Sequence, residues 1–148
     1  MTVREATGQD EKFIVDFQLA MAKETENIEL NRFTVEKGVS AVINDFSKGK
    51  YYITEIQGKV VGSLLTTFEW SDWRNGTILW IQSVYVLPEF RRKGVYRNMY
   101  SHVKDQVEKN ENLKGIRLYA DKTNFSAHKI YKKLGMTPDH YVTFEWLK

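Results

Sequence analysis

The sequence predicts a mixed α/β domain in which part of the sheet is an antiparallel meander. Apolar periodicity switches between strand-like and helix-like in the order β-α-α-β-β-β-α-β-α-β. Two reversal signals, Gln57-Gly58-Lys59 and Asn75-Gly76, separate three consecutive strand-like runs, and tight reversals make neighbouring strands antiparallel. A long helical period follows: Val95, Met99, Val103 and Val107 recur every four residues, with no Gly or Pro until Gly115.

Each element has its own signal. Thr2 to Ala6 reads as a short strand. Thr7 caps the next helix, whose face is Phe13, Ile14, Phe17, Ala20, Met21 and Glu24, and the polar run Glu24-Thr25-Glu26-Asn27 ends it. Thr34 caps a second helix carrying Val35, Val39, Val42, Ile43 and Phe46, and Lys48-Gly49 stops it. Tyr51 to Ile56 and Val60 to Phe68 form a hairpin, with Gly58 free to take a positive φ. Trp70 to Gly76 is the next turn, and Thr77 to Leu87 is a long strand. Pro88 cannot donate to a ladder and stops it. The long helix runs from Val95 to about Asn112. Ile116 to Ala120 is a further strand, and Asn124 to Leu134 a helix with Ala127, Ile130, Tyr131 and Leu134 on one side. Gly135 ends that helix, and Met136 to Trp146 is one bent strand or two short ones, broken near Pro138. No repeat, linker or low-complexity stretch interrupts the chain, so residues 1–148 read as one domain.

Composition narrows the function. The chain is 42% hydrophobic and 28% charged, which is ordinary for a globular protein. It has no cysteine, so disulfides, thiolate metal sites and a Cys nucleophile are excluded. No long apolar run or signal-like start is present, which predicts a cytoplasmic protein with no membrane partner. The net charge is only +3, yet the basic residues cluster at Arg91 to Arg97 and at Lys129, Lys132 and Lys133. Two local clusters suit a small polyanionic ligand, whereas nucleic acid wants a broader stripe. His102, His128 and His140 share no spacing that would hold a metal.

The stretch Ser83 to Tyr100 organises the rest. Val84, Tyr85 and Val86 are β-formers that lead through Pro88 into Arg91-Arg92-Lys93-Gly94, and Val95 opens a helix. A loop opening a helix aims unbonded backbone N–H groups at one point, and the helix dipole adds partial positive charge there. That makes an anion site, with phosphate its usual occupant. Arg91, Arg92, Lys93 and Arg97 surround it, and Gly94 lets a phosphate approach the backbone.

This stretch resembles motif A of the GNAT superfamily of N-acetyltransferases, which reads Gln/Arg-x-x-Gly-x-Gly/Ala after a strand often ending Val-x-Pro. Here the loop stands as Arg91-Arg92-Lys93-Gly94-Val95-Tyr96, with Tyr96 where the family has a small residue. A second stretch is similar to the family's motif B, Asn-x-x-Ala-x-x-x-Tyr-x-x-x-Gly-Phe: Asn124, Ala127, Tyr131 and Gly135 match, and Met136 replaces Phe. The element order is that of the family, so the resemblance covers nearly the whole chain. It implies a single-domain GNAT fold, a mixed central sheet with flanking helices, in which the strand ending at Leu87 and the strand Ile116 to Ala120 are parallel and splay apart. It also implies acetyl-CoA as acyl donor, its pantetheine held by backbone groups of Val84 and Val86 and its diphosphate by Arg91 to Arg97.

The implied reaction is transfer of an acetyl group to a primary amine by direct attack. Tyr131 is the family's candidate proton donor for the departing thiolate, and Asn124 bonds a cofactor amide or simply caps its helix. Many members carry a Glu in the long strand where this chain has Gln82, which cannot accept a proton. Glu69 and Asp72, just before that strand, are the nearest carboxylates to serve as base. Glu24 and Glu26 lie after the first helix, where the family often binds the acceptor. Trp70, Trp73 and Trp80 could hold a cationic amine or simply fill the hairpin. A small-molecule amine is the expected acceptor, a protein amine or a non-catalytic acyl-CoA-binding module the alternatives. Tyr141 to Trp146 is a candidate dimer edge.

Overall fold

A computed structural model describes all 148 residues. Two compact units make up the chain, Met1–Arg117 and Leu118–Lys148. The first holds five strands and three helices: β1 (Thr2–Glu5), α1 (Glu11–Glu26), α2 (Arg32–Asn44), β2 (Lys50–Ile56), β3 (Lys59–Ser71), β4 (Gly76–Val86), α3 (Val95–Lys109) and β5 (Leu113–Arg117). The second holds α4 (Phe125–Lys133). The sheet runs β1-β2-β3-β4-β5, antiparallel except for the parallel β4–β5 pair. A parallel pair needs a crossover, and α3 supplies it.

Adjacent strand residues face opposite sides of a sheet, and Tyr51 and Tyr52 show the two sides here. Tyr51 joins the core under α1 and α2 with Ile14, Val15, Phe17, Val39, Ile53 and Tyr85. Tyr52 faces α3, where its hydroxyl donates to Gln106 Oε1 at 2.8 Å and its ring meets His102 edge-on. The predicted apolar row of α3 is its buried face: Val95, Met99 and Val103 are all buried, each contributing roughly 1.5–3 kcal/mol by burial. Gly62 lets the start of α3 sit close to the sheet, since a Cβ there would stand 2.9 Å from Tyr85 O and 3.3 Å from a Val95 methyl.

The first hairpin turns at Gln57 and Gly58, with φ of 50° and 74°, the two left-handed residues a type I′ turn requires. Several expectations need correction. β3 runs on through Trp70 to Ser71, so the second turn is only Asp72 to Asn75. Asn31, not Thr34, caps α2: its side chain accepts from Thr34 N at 2.9 Å. Thr34 therefore sits one turn inside. α3 ends at Lys109, short of Asn112. β5 lies at Leu113–Arg117 rather than Ile116 to Ala120, because the β4 register starts at Thr77↔Leu113 and Thr77 N bonds Asn112 O at 2.8 Å. Met136 to Trp146, expected as one or two strands, is irregular within its unit, where no second strand exists to pair with it.

Candidate active site

The basic loop before α3 is built by a strand, a turn and a helix start. β4 ends at Val86, and a single 3-10 turn spans Pro88–Phe90. Arg92 and Gly94 are both left-handed, with φ of 61° and 82°, so the loop curls tightly before α3. The first α-type bond runs from Asn98 N to Gly94 O at 3.0 Å, and Asn98 Nδ2 donates to the same carbonyl. The N–H groups of the first turn precede that bond and point out of the helix end. Arg92, Lys93 and Arg97 are exposed around it. A Cβ at Gly94 would meet only Asn98 Nδ2, at 3.9 Å, so open space lies in front of the loop backbone. Helix end, cations and open approach together fit a diphosphate.

The end of β4 next to the loop is set apart from the rest of the strand by two features. β5 pairs only as far as Trp80↔Arg117, while β4 continues six residues to Val86. In this overhang Ser83 takes φ 52°, and the β3 register slips from Leu65↔Gln82 to Ser63↔Tyr85. One extra residue on β4 makes a β-bulge, which bends the strand. Val84 and Val86 lie in and beyond it. The Val86 carbonyl already accepts from Arg91 Nε at 2.9 Å.

Arg91 has further commitments. Its Nη2 lies 2.6 Å from Glu24 Oε2, and its guanidinium sits 5.4 Å from the Tyr85 ring centre. Tyr85 donates to the other Glu24 oxygen at 2.9 Å and packs its ring on Phe17. Burial raises the Glu24 carboxyl, but the bonds from Arg91 and Tyr85 outweigh it and hold the group below its ordinary value. The Tyr85 phenol is raised, by burial first and then by the adjacent carboxylate. Glu26, two residues on, is exposed in the last residue of α1.

The same sheet face carries a polar row farther along β3 and β4. Gln82 Nε2 donates to Thr67 Oγ1 at 2.5 Å. Glu69 is ion-paired with Arg117 of β5, and its Oε1 accepts from Trp80 Nε1 at 3.4 Å. Both Glu69 oxygens are thus engaged. Asp72 sits in the exposed turn, with Oδ1 accepting from Trp73 N at 2.9 Å. Strand alternation puts Trp70 on the opposite face from Glu69 and Trp80, and Trp73 is exposed in the turn. The three tryptophans therefore do not line one site on this sheet. A groove of about 510 Å³ between α1 and α2, lined by Val15, Arg32, Phe33 and Lys37, contains none of the residues singled out from sequence.

In the second unit Asn124 caps α4, its side chain accepting from Ala127 N at 3.1 Å. Tyr131 is half-buried in the last turn of α4, and Gly135 takes φ 85° where the helix ends. The cap reading of Asn124 is the one its own contacts carry.

Four participants escaped sequence reasoning. Tyr85 reads as a β-former, Thr67 as an ordinary strand residue, and Ser83 gives no glycine signal for its left-handed backbone. Arg117 alone left a clue, as a charge inside an apolar strand.

The chain matches the family model for the acetyltransferase (GNAT) family over residues 19–136. None of the curated proteins matches it. A crystal structure from Clostridium difficile 630, described as a possible acetyltransferase, is 43% identical over 99% of this chain and 97% of that one, with a TM-score of 0.92. A predicted acetyltransferase with acetyl-CoA from Clostridium acetobutylicum (19% identity, 97% and 95% covered, TM-score 0.76) shares the fold. So does a ribosomal-protein-alanine N-acetyltransferase from Brucella melitensis biovar Abortus 2308 (12% identity, 99% of each chain, TM-score 0.80). The chain belongs to the GNAT family of acyltransferases, whose acetyl donor is acetyl-CoA.

Proposed function

We propose that this protein transfers acetyl from acetyl-CoA to the primary amine of a small molecule by direct attack. The observation that carries the reading is the loop at the start of α3, with Gly94 open to approach and three exposed cations around it. Bound there, acetyl-CoA supplies an acyl group already activated as a thioester. The loop amides and Arg92, Lys93 and Arg97 hold the diphosphate. The β4 overhang around Val84 offers backbone groups to the pantetheine amides in the manner of an added strand. Tyr131 holds the proton that the leaving thiolate takes. No cysteine is present to form an acyl-enzyme.

The amine must arrive neutral. Arg117 competes with a substrate ammonium for Glu69, so Glu69 serves the acceptor as a fixed polar wall, and Gln82, tied to Thr67, orients the amine or a water. Asp72 retains an oxygen for the proton. The same engagement of Glu69 favours a second reading, an acyl-CoA-binding module without catalysis. Thiol release from acetyl-CoA, measured against a panel of small primary amines and of lysine and N-terminal peptides, decides between them. Turnover of a small amine supports the proposal. Turnover of peptides alone moves the acceptor to proteins, and tight binding without release under any amine supports the module.

A further inference from the structure

One carboxylate joins three distant parts of the first unit. Glu24 stands in the last turn of α1, Tyr85 near the end of β4 and Arg91 at the head of the cofactor loop, and all three meet at the two Glu24 oxygens. Arg91 is held on three sides: Nε on the Val86 carbonyl at 2.9 Å, Nη2 on Glu24 at 2.6 Å, and its plane over the Tyr85 ring. These partners turn the guanidinium back along β4 toward α1.

An ion pair this exposed, at 43% and 40% for the two side chains, adds little to global stability. Its geometric effect is larger. The residue after Arg91 must adopt a left-handed backbone, which non-glycine residues do at a cost. An arginine pinned at both Nε and Nη2 fixes the point from which that turn starts. The loop amides can then converge before any ligand arrives, and a preorganised site binds more tightly than one that must order itself. We propose that Glu24 is a positioning residue for the cofactor loop, acting through Arg91 rather than by touching the amine. This role rests on the acetyltransferase reading and departs from the acceptor-binding role that the resemblance implied for Glu24.

The test is calorimetric titration of acetyl-CoA into wild type, Glu24→Gln and Arg91→Lys, with the double variant closing a cycle. Glu24→Gln keeps an oxygen for Tyr85 and removes the charge that holds Arg91. Arg91→Lys keeps the loop charge but cannot hold Glu24 and Val86 O together. Each single variant should raise the acetyl-CoA Kd about five- to tenfold, and the double variant little more. The KM for acetyl-CoA should rise more than kcat falls, and the KM for the amine should move least. In the ligand-free protein, amide exchange over residues 91–97 should quicken in both variants. Arg91→Lys changes only an exposed side chain, so it tests the link even where Glu24→Gln folds poorly. Tighter binding in Glu24→Gln would mean that Glu24 withholds Arg91 from the diphosphate, and would overturn the proposal. So would an unchanged Kd with a raised KM for the amine. A wild-type protein that gives no binding to acetyl-CoA overturns the acetyltransferase reading itself, and this role with it.

Discussion

Asp10 shows how a single buried charge is held. Its side chain accepts from Arg4 at 2.8 and 2.9 Å and from Thr7 N at 2.8 Å. Burial raises its carboxyl, and these bonds prevail and hold it below the ordinary value. A depressed carboxyl contributes stability that is present above its unfolded-state pKa and is lost as pH falls through the folded one. Asp10→Asn should therefore destabilise at neutral pH, by about 1–3 kcal/mol, and flatten the acid limb of a stability-versus-pH curve from chemical denaturation. Tyr131 makes the chemical prediction at this scale. Tyr131→Phe keeps the ring and removes the hydroxyl proposed as proton donor, so turnover should fall about 10²-fold while acetyl-CoA binding holds, as single-turnover rates and titration would report. Wild-type turnover would leave Tyr131 as a packing residue. The place of Tyr131 on α4 was legible because its spacing from Asn124 and Gly135 is fixed in sequence. The Glu24–Tyr85–Arg91 contact was not, because its members are 61 and 67 residues apart and only the folded register brings them together.

At the level of elements, local chemistry was read well where it is local. The Gln57-Gly58 turn, the Gly94 loop, the Asn124 cap and the α3 core row all follow from neighbouring residues. Thr34 misled because it lies three residues after the actual cap, and a Thr just inside a helix looks the same in sequence. Asn31→Ala should cost about 1 kcal/mol, seen as a lowered Tm, and Thr34→Ala less. β4 holds the larger lesson. Its bulge at Ser83 and its overhang beyond Trp80 are properties of pairing with β3 and β5, which no window along β4 contains. The polar row on this sheet yields its own test. Glu69→Gln loses the ion pair with Arg117 but keeps an oxygen for Trp80, so acetyl-CoA affinity should stay within about twofold while turnover falls at least tenfold, a KM-against-kcat split measured by initial rates. Asp72→Asn, which removes the group proposed to take the proton, should lose turnover at unchanged acetyl-CoA affinity, and wild-type turnover there would place the proton elsewhere.

Across the whole molecule the charge is modest and its placement is what matters. Net charge is +3, yet Arg92, Lys93 and Arg97 stand together where α3 aims its N-terminus. The fold exists in many chains that share little sequence with this one, so the loop and its glycine, rather than the sheet, carry the claim of acetyl-CoA binding. Gly94 is the sharpest probe. Its φ of 82° disfavours any side chain even though the space is open, so a valine would strain the loop and alanine is the better substitution, at about 1–2 kcal/mol. Calorimetric titration of acetyl-CoA into folded wild-type protein and Gly94→Ala tests the account most directly. One equivalent should bind to wild type, and Gly94→Ala should bind at least tenfold more weakly, about 1.4 kcal/mol. Equal affinity in the two proteins would remove this loop from the cofactor site and contradict the account.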